Sequence, residues 1–479
     1  MNHPLGILRS GPCAFVDERG TVAPSNADWT LRWWVAGEDR WHRPDVDAAV
    51  RERLIEDTPV VETAVRVPGG DAIGVAYAHA SAGRPALAGR VANASPVPVA
   101  VAIIVGPATS IVVADSTIIV DGRDVIRLSR RPSATESAAG LDELLRRLPE
   151  TSTMNRELTG YAAVVVPLPH TQAVSWQVLD TSETPASVPD PDQVVAGWIR
   201  HSEEGAQLSL PATEATAFAR GRHLVALGVA PGASIVEVAD HVAAAVRLGW
   251  FDAALDGTER LAIEQSGRGR IGDDESSTVA ALDALASWRR AGIPFEGLEH
   301  LVGPVVSAAR WLTRRLERLD GSERSAADDA IRGAAAFLSF MDQPAISKHL
   351  YAVTGDASEA SHSTGSGASP RAVSGLIDAL VTDDVGGLRL LDGWSVAWAR
   401  APIEASAVPT PWGTMSFALR WHGSRPALLW EVEPWIEVHR SEPSLRSVAL
   451  DPSWQGSGWR GEALLAEAVL PTPVDESFS

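Results

Sequence analysis

The chain has 479 residues, 61 Asp and Glu against 41 Lys and Arg, and a formal charge of −20 at pH 7. That length exceeds one ordinary core, and the charge disfavours nucleic acid and anionic membranes, both of which would repel it. The single cysteine, Cys13, excludes an internal disulfide and any multi-cysteine metal centre, while 45% apolar and 21% charged residues mark a globular composition.

Met1 to Gly6 carries no basic segment followed by an apolar stretch, so no signal peptide is expected and a cytoplasmic location follows. Residues 28 to about 180 read as β. Trp29, Leu31, Trp33 and Val35 alternate with Thr30, Arg32 and Trp34, the period of a half-buried strand. Further strands are expected at 60–67, 73–79, 89–91, 97–105, 110–113, 117–120, 125–128 and 161–166. The longest apolar run, Val97 to Val105, is too short to cross a bilayer, so no membrane partner is expected. Many short strands separated by Gly, Pro, Asn and Asp predict an N-terminal β-sandwich over 1–189, closed by the Pro-rich stretch Thr181 to Gln193.

From about 190 to 385 the period becomes helical, with segments at 194–201, 212–227, 235–248, 252–265, 276–291, 298–319, 326–342 and 371–381. Short connections make successive helices antiparallel neighbours. Asp356 to Pro370, rich in Ser, Gly and Thr, reads as a mobile loop. A C-terminal β-rich domain spans 386–479. There 414–421 and 426–432 form a hairpin around Gly423, with Met415, Phe417, Leu419, Trp421, Leu428, Trp430 and Val432 on one face. That face requires paired residue numbers to sum to an odd value near 849, which sets Arg420 opposite Leu429 and diagonal to Glu431.

Gly267-Arg268-Gly269-Arg270-Ile271-Gly272 matches the G-x-G-x-x-G pattern, but a helical segment precedes it where a dinucleotide site needs a strand. It reads as a helix-to-helix turn, and no cofactor is expected. H-E-x-x-H, G-x-x-x-x-G-K and G-x-S-x-G sequences do not occur, so no metal site is expected and nucleotide and serine-nucleophile chemistry lose support. Asp273, Asp274 and Glu275 precede a helix whose expected cap is Ser276 or Ser277. Acids there satisfy free N–H groups and the helix dipole, and a carboxyl in that position also suits a general acid or base. Glu264 and Asp283 are further candidates that would otherwise meet solvent or an arginine. The seventeen tryptophans are the least ordinary feature, because a flat apolar indole suits both sheet cores and sugar stacking. Trp34, Trp41, Trp412 and Trp435 break or flank the alternation and are the candidates for an exposed platform.

Several stretches together resemble a family of bacterial proteins allied to the six-hairpin, glucoamylase-like glycosidases. They are 28–35 (Asp-Trp-Thr-Leu-Arg-Trp-Trp-Val), 37–42, 60–63, 410–414 (Thr-Pro-Trp-Gly-Thr) and 420–431. The resemblance covers both ends well and the middle poorly. It implies a multidomain α and β fold: an N-terminal β-sandwich, an (α/α) helical-hairpin toroid and a small C-terminal β-domain. A full toroid has twelve helices, so eight segments imply an incomplete ring. In such enzymes two carboxyl groups flank the glycosidic bond, and the turn at Asp274 and Glu275 resembles the acidic turn that opens a core helix there. The implied partner is an oligosaccharide. Either a glycoside hydrolase with Glu275 or Asp274 as acid, or a non-catalytic glycan-binding or scaffolding relative, fits this reading; a third option is an assembly module that uses its tryptophans as an interface.

Overall fold

The computed structural model describes residues 2–150, 153–180, 187–292, 295–354, 368–384, 387–436, 441–447 and 449–467. The chain divides into two compact units, Met1–Ser202 and Glu203–Ser479, so that the helical span and the C-terminal strands share the second. Most of the loop expected at Asp356 to Pro370, and half of the boundary stretch Thr181 to Gln193, lie outside the described residues.

The first unit is built on a 15-stranded antiparallel sheet that curls on itself. Alternation explains its two faces: Leu31, Trp33 and Val35 enter the main core with Ile103 and Val105, whereas Trp34 turns the other way and packs with Ala102, Ile104 and Leu144. Leu144 comes from α1 (Leu141–Arg147), a helix that covers this second face. The strands expected at 97–105 and 110–113 are one strand, Val99–Ala114. Register shifts between Val105 and Ala108, and again between Ala108 and Ile111, absorb the Gly106-Pro107 pair, so the proline sits at a bulge instead of ending the strand. The unit closes with α2 (Pro191–Ser202), whose Val195 packs on Val60, Tyr77 and Ala88.

Among the described residues eight α-helices follow in the second unit: α3 (Ala212–Leu227), α4 (Ile235–Leu248), α5 (Phe251–Ile263), α6 (Glu275–Ser287), α7 (Phe295–Thr313), α8 (Gly321–Phe340), α9 (Pro344–Thr354) and α10 (Pro370–Leu380). The middle of this unit is organised around α4. A Ser234–Glu237 capping box starts it, and Gly249, at φ +81°, ends it in the left-handed conformation that favours glycine. Its residues are buried on nearly every side from Val238 to Leu248, as expected of a helix flanked by others.

Residue contacts fix the helix directions. Arg247 in the last turn of α4 bonds Asp378 in the last turn of α10 and reaches Asp283 near the end of α6. A Cβ on Gly272, just before α6, would lie 3.3 Å from Ile235, the first residue of α4. Thus α10, α4 and α6 run side by side in one direction, and α8 lies beyond α6. α5 folds back along α4 so closely that a Cβ on Gly257 would lie 2.5 Å from Val242.

Two sheets complete the unit. Five strands (207–209, 403–410, 413–422, 425–434 and 460–464) form one, and four (381–384, 387–390, 444–447 and 451–457) form the other. The 413–422/425–434 hairpin has the expected parity and apolar face, with Met415 opposite Val432, Phe417 opposite Trp430, and Leu419 opposite Leu428. The pairing is nevertheless two residues away from the expected one, so Arg420 faces Ala427 instead of Leu429. Gly423 at φ +68° makes a two-residue loop with Ser424 and sets that register. Arg420 finds its counter-charge, Glu404, on the preceding strand.

Candidate functional site

Charged residues on a helix as enclosed as α4 need partners, because an isolated buried charge is costly. Four ionisable groups interrupt its apolar surface or its ends: Glu237, Asp240, His241 and Arg247. Glu237 serves the capping box. Arg247 is buried and lies 2.8 Å from Asp378 and 3.3 Å from Asp283. Burial works against its charge, but the two carboxylates more than offset this and raise its pKa.

The network continues inward. Arg290 lies 3.1 Å from Asp378 and donates to Asp383 at 2.5 Å, and Arg289 donates to the other Asp383 oxygen at 2.5 Å. Burial alone would raise the Asp383 pKa, yet Arg289 and Arg290 hold it well below the ordinary carboxylate value; Arg247 and Arg290 do the same for Asp378. These carboxylates are fixed counter-ions for arginines.

Asp240 differs. Burial pushes its pKa up to about 6; Arg371 and Arg247 work against this, and Asp283 and Glu237 add to it. No hydrogen bond fixes its carboxylate among the described residues. Asp283, half-exposed on α6, remains engaged with Arg247. Two carboxyl groups on parallel neighbouring helices therefore sense each other's charge from unlike surroundings. A carboxyl group that keeps its proton to about pH 6, beside a second one paired with an arginine, can supply that proton to a neighbour. His241 beside Asp240 is buried, with its pKa driven down to about 4 by desolvation and its Nε2 without a hydrogen-bond partner among the described residues.

The carboxyl groups expected to act sit elsewhere. Asp274 is exposed and caps α6, accepting from Ser277 N at 2.8 Å and from the Ser276 hydroxyl at 3.0 Å, which lowers its pKa. Glu275 lies 3.3 Å from Arg315, whose guanidinium stacks 3.7 Å over Trp311. Asp283 does meet an arginine, and Glu264 is exposed at the end of α5. The Gly267–Gly272 segment is the turn between α5 and α6. Gly269 at φ +96° lies so close to Ser307 that a Cβ there would come within 2.2 Å of its carbonyl oxygen.

None of the seventeen tryptophans is fully exposed. Trp34 has 0% exposure, donates to Asp45 at 3.0 Å, and lies under the Arg43 guanidinium. Trp41 packs partly buried against the Trp34 cluster. Trp412 is buried, and Trp435 donates to the Thr410 carbonyl at 2.7 Å. Many indoles rest on glycines: a Cβ would lie 2.6 Å from Trp33 at Gly74, 2.3 Å from Trp176 at Gly89, 2.4 Å from Trp430 at Gly461, and 2.3 Å from Trp435 at Gly292. Much of the tryptophan excess therefore fills space that glycines leave.

Sequence reasoning missed Asp240. The available signal was its place in the middle of a segment made mostly of Val and Ala, where a carboxylate requires a reason. Among the described residues no group of three or more His, Cys, Asp or Glu side chains is placed to hold a metal ion, and no helix is long and apolar enough to cross a membrane.

No protein-family model matches the chain. No curated protein matches it either. Among solved structures, the fold is similar to a bacterial glucoamylase complexed with acarbose, at 8% identity and a TM-score of 0.50, over 74% of this chain and 66% of that one. The chain thus spans about two-thirds of the length of that enzyme. An α-L-rhamnosidase from Dictyoglumus thermophilum (7% identity, 85% of this chain and 61% of that one) and a family GH92 α-mannosidase from Bacteroides thetaiotaomicron (8%, 74% and 62%) align at TM-scores of 0.35 and 0.30, too low to define a common topology. What is shown is a likeness of fold alone: a curled β-sheet unit and a unit of helices and small sheets, similar over 74% of the chain to the bacterial glucoamylase.

Proposed function

We propose that the chain is a carbohydrate-active protein of glycosidase type, built on a partial α/α toroid, with an oligosaccharide as ligand. Asp240 and Asp283 are its paired carboxylates. The observation that carries this reading is the contrast between them: Asp240 is desolvated and keeps a proton to about pH 6, and Asp283 is tied to Arg247. Glycoside hydrolysis asks for that division, one carboxylic acid to protonate the departing oxygen and one carboxylate to activate water or attack the sugar. Asp240 is assigned the first role and Asp283 the second. The row of parallel helices α10, α4 and α6 supports the reading by holding both groups on rigid elements. The glucoamylase-like fold is in keeping with it.

The test is release of reducing sugar from a panel of neutral oligosaccharides. The wild-type chain is expected to turn over at least one of them, and Asp240→Asn and Asp283→Asn each to lose 10²-fold or more, the usual scale for general acid–base groups. Glu275→Gln completes the set: activity lost there and kept in Asp240→Asn would move the acid to Glu275. The non-catalytic alternative draws on a specific feature, the ion pair that already occupies Asp283. It predicts saturable glycan binding without any sugar release.

A further inference from the structure

The five-stranded sheet buries Met415, Phe417, Leu419, Leu428, Trp430 and Val432 on one face. Among the described residues its other face is open, and a cavity of about 730 Å³ lies against it, a size that suits a small ligand or a stretch of a longer one. Register places Glu404, Ala418, Leu429 and Glu462 in one cross-strand row on that face, with Glu431 and Arg460 paired in the next. The strand 403–410 bulges between Ala405 and Val408, where Ala407 takes φ +55° and its N–H is held by the Ser416 hydroxyl at 3.0 Å. A bulge increases local twist and bends its strand, which hollows the sheet at this point. A non-glycine residue in that conformation costs free energy and persists where the surroundings demand it.

The lining defines the ligand. Leu429 is 45% exposed in the middle of the groove. The carboxylates of Glu431 and Glu462 and the guanidinium of Arg460 are exposed beside it and have no side-chain partner among the described residues. An anionic chain would meet two unpaired carboxylates on a protein of charge −20. A cationic one would meet Arg460 at either carboxylate, because register sets that arginine opposite Glu431 and two residues from Glu462 on the same face. A neutral polyhydroxylated chain satisfies all of them, since hydroxyls donate to the carboxylates, accept from Arg460, and leave C–H faces for Leu429 and Ala418. We propose that this groove binds a neutral glycan chain, as a surface separate from the Asp240–Asp283 pair. The inference rests on the carbohydrate reading above and adds a location to it.

Calorimetric titration of the full chain with gluco-, manno- and xylo-oligosaccharides tests it. One series is expected to bind. The exposed-site variants Leu429→Asp and Glu431→Gln/Glu462→Gln are expected to weaken Kd tenfold or more while their circular dichroism and thermal midpoints stay unchanged. Turnover or binding of a sugar with an unaltered Kd in both groove variants would overturn the groove and leave the glycosidase reading standing. Groove-dependent binding with no turnover in wild type would do the reverse. Absence of binding to any sugar, or binding of a basic peptide that 0.5 M salt releases, would overturn the proposal outright.

Discussion

A carboxyl group that stays protonated to about pH 6 in the folded chain weakens the fold once it ionises. The unfolded Asp240 carboxylate releases its proton near pH 3.9 and the folded one near 6. Between those values the folded state binds more protons, so this group's contribution falls as pH rises and levels off above 6. Asp240→Asn removes that liability. It should be more stable than wild type by about 1–3 kcal/mol at pH 8, with the gap closing toward pH 4; urea unfolding at the two pH values measures this. An equal midpoint at pH 8 would mean that Asp240 is not desolvated. Asp383 acts with the opposite sign. Its depressed pKa contributes stability that is complete above about pH 4 and lost as pH falls further. Asp383→Ala leaves Arg289 and Arg290 buried without their shared counter-ion and should cost about 3–5 kcal/mol, read as a lower urea midpoint. Of these roles, the sequence made Asp283 visible as a helix acid seeking an arginine; the cap expected at Ser276 or Ser277 is instead Asp274, whose carboxylate accepts from the Ser277 N–H. Asp240 stayed hidden because Arg371, its strongest opposing charge, comes from a helix more than a hundred residues further along the chain.

Elements whose local signals agree are the ones legible in advance. α3 and α4 begin and end where periodicity places them, and in α4 the structure shows why: Ser234, Glu237 and Gly249 supply both ends locally. The hairpin shows what such signals leave open. Alternation fixes which residues share a face, so the odd parity was determined by sequence; the two-residue offset was not, because either register satisfies the pattern and only the Gly423-Ser424 loop chooses. α9 went unread since Pro344 and a mixed face from Ser347 to Tyr351 mask its period. At this scale the test is Gly257→Ala. Alanine is the better helix former by about 1 kcal/mol, but its methyl would meet Val242 between α4 and α5. Packing should dominate, with a net loss of about 1–3 kcal/mol in urea unfolding, and a second change, Val242→Ala, should recover less than its own cost adds when made alone.

At the scale of the molecule, what the sequence conveyed was layout: a β-rich start, a helical middle and β-strands at the end. Its division into two units was beyond reach, since nothing local in 386–467 says that these strands pack with the helices rather than apart from them. The tryptophans misdirect for a related reason. Their number is visible in the chain, but the glycines they rest on, such as Gly74 and Gly89, lie on neighbouring strands that only the fold brings near. In the proposed reading, sugar recognition rests on carboxylates, a guanidinium group and Leu429, and its centre is the pair of acids Asp240 and Asp283. The most direct measurement is therefore the pH dependence of reducing-sugar release by the wild-type chain beside Asp240→Asn and Asp283→Asn. The account predicts activity that declines on the alkaline side near pH 6, where Asp240 gives up its proton, and loss of at least 10²-fold in both variants. Sugar release that persists unchanged in Asp240→Asn and Asp283→Asn would contradict it.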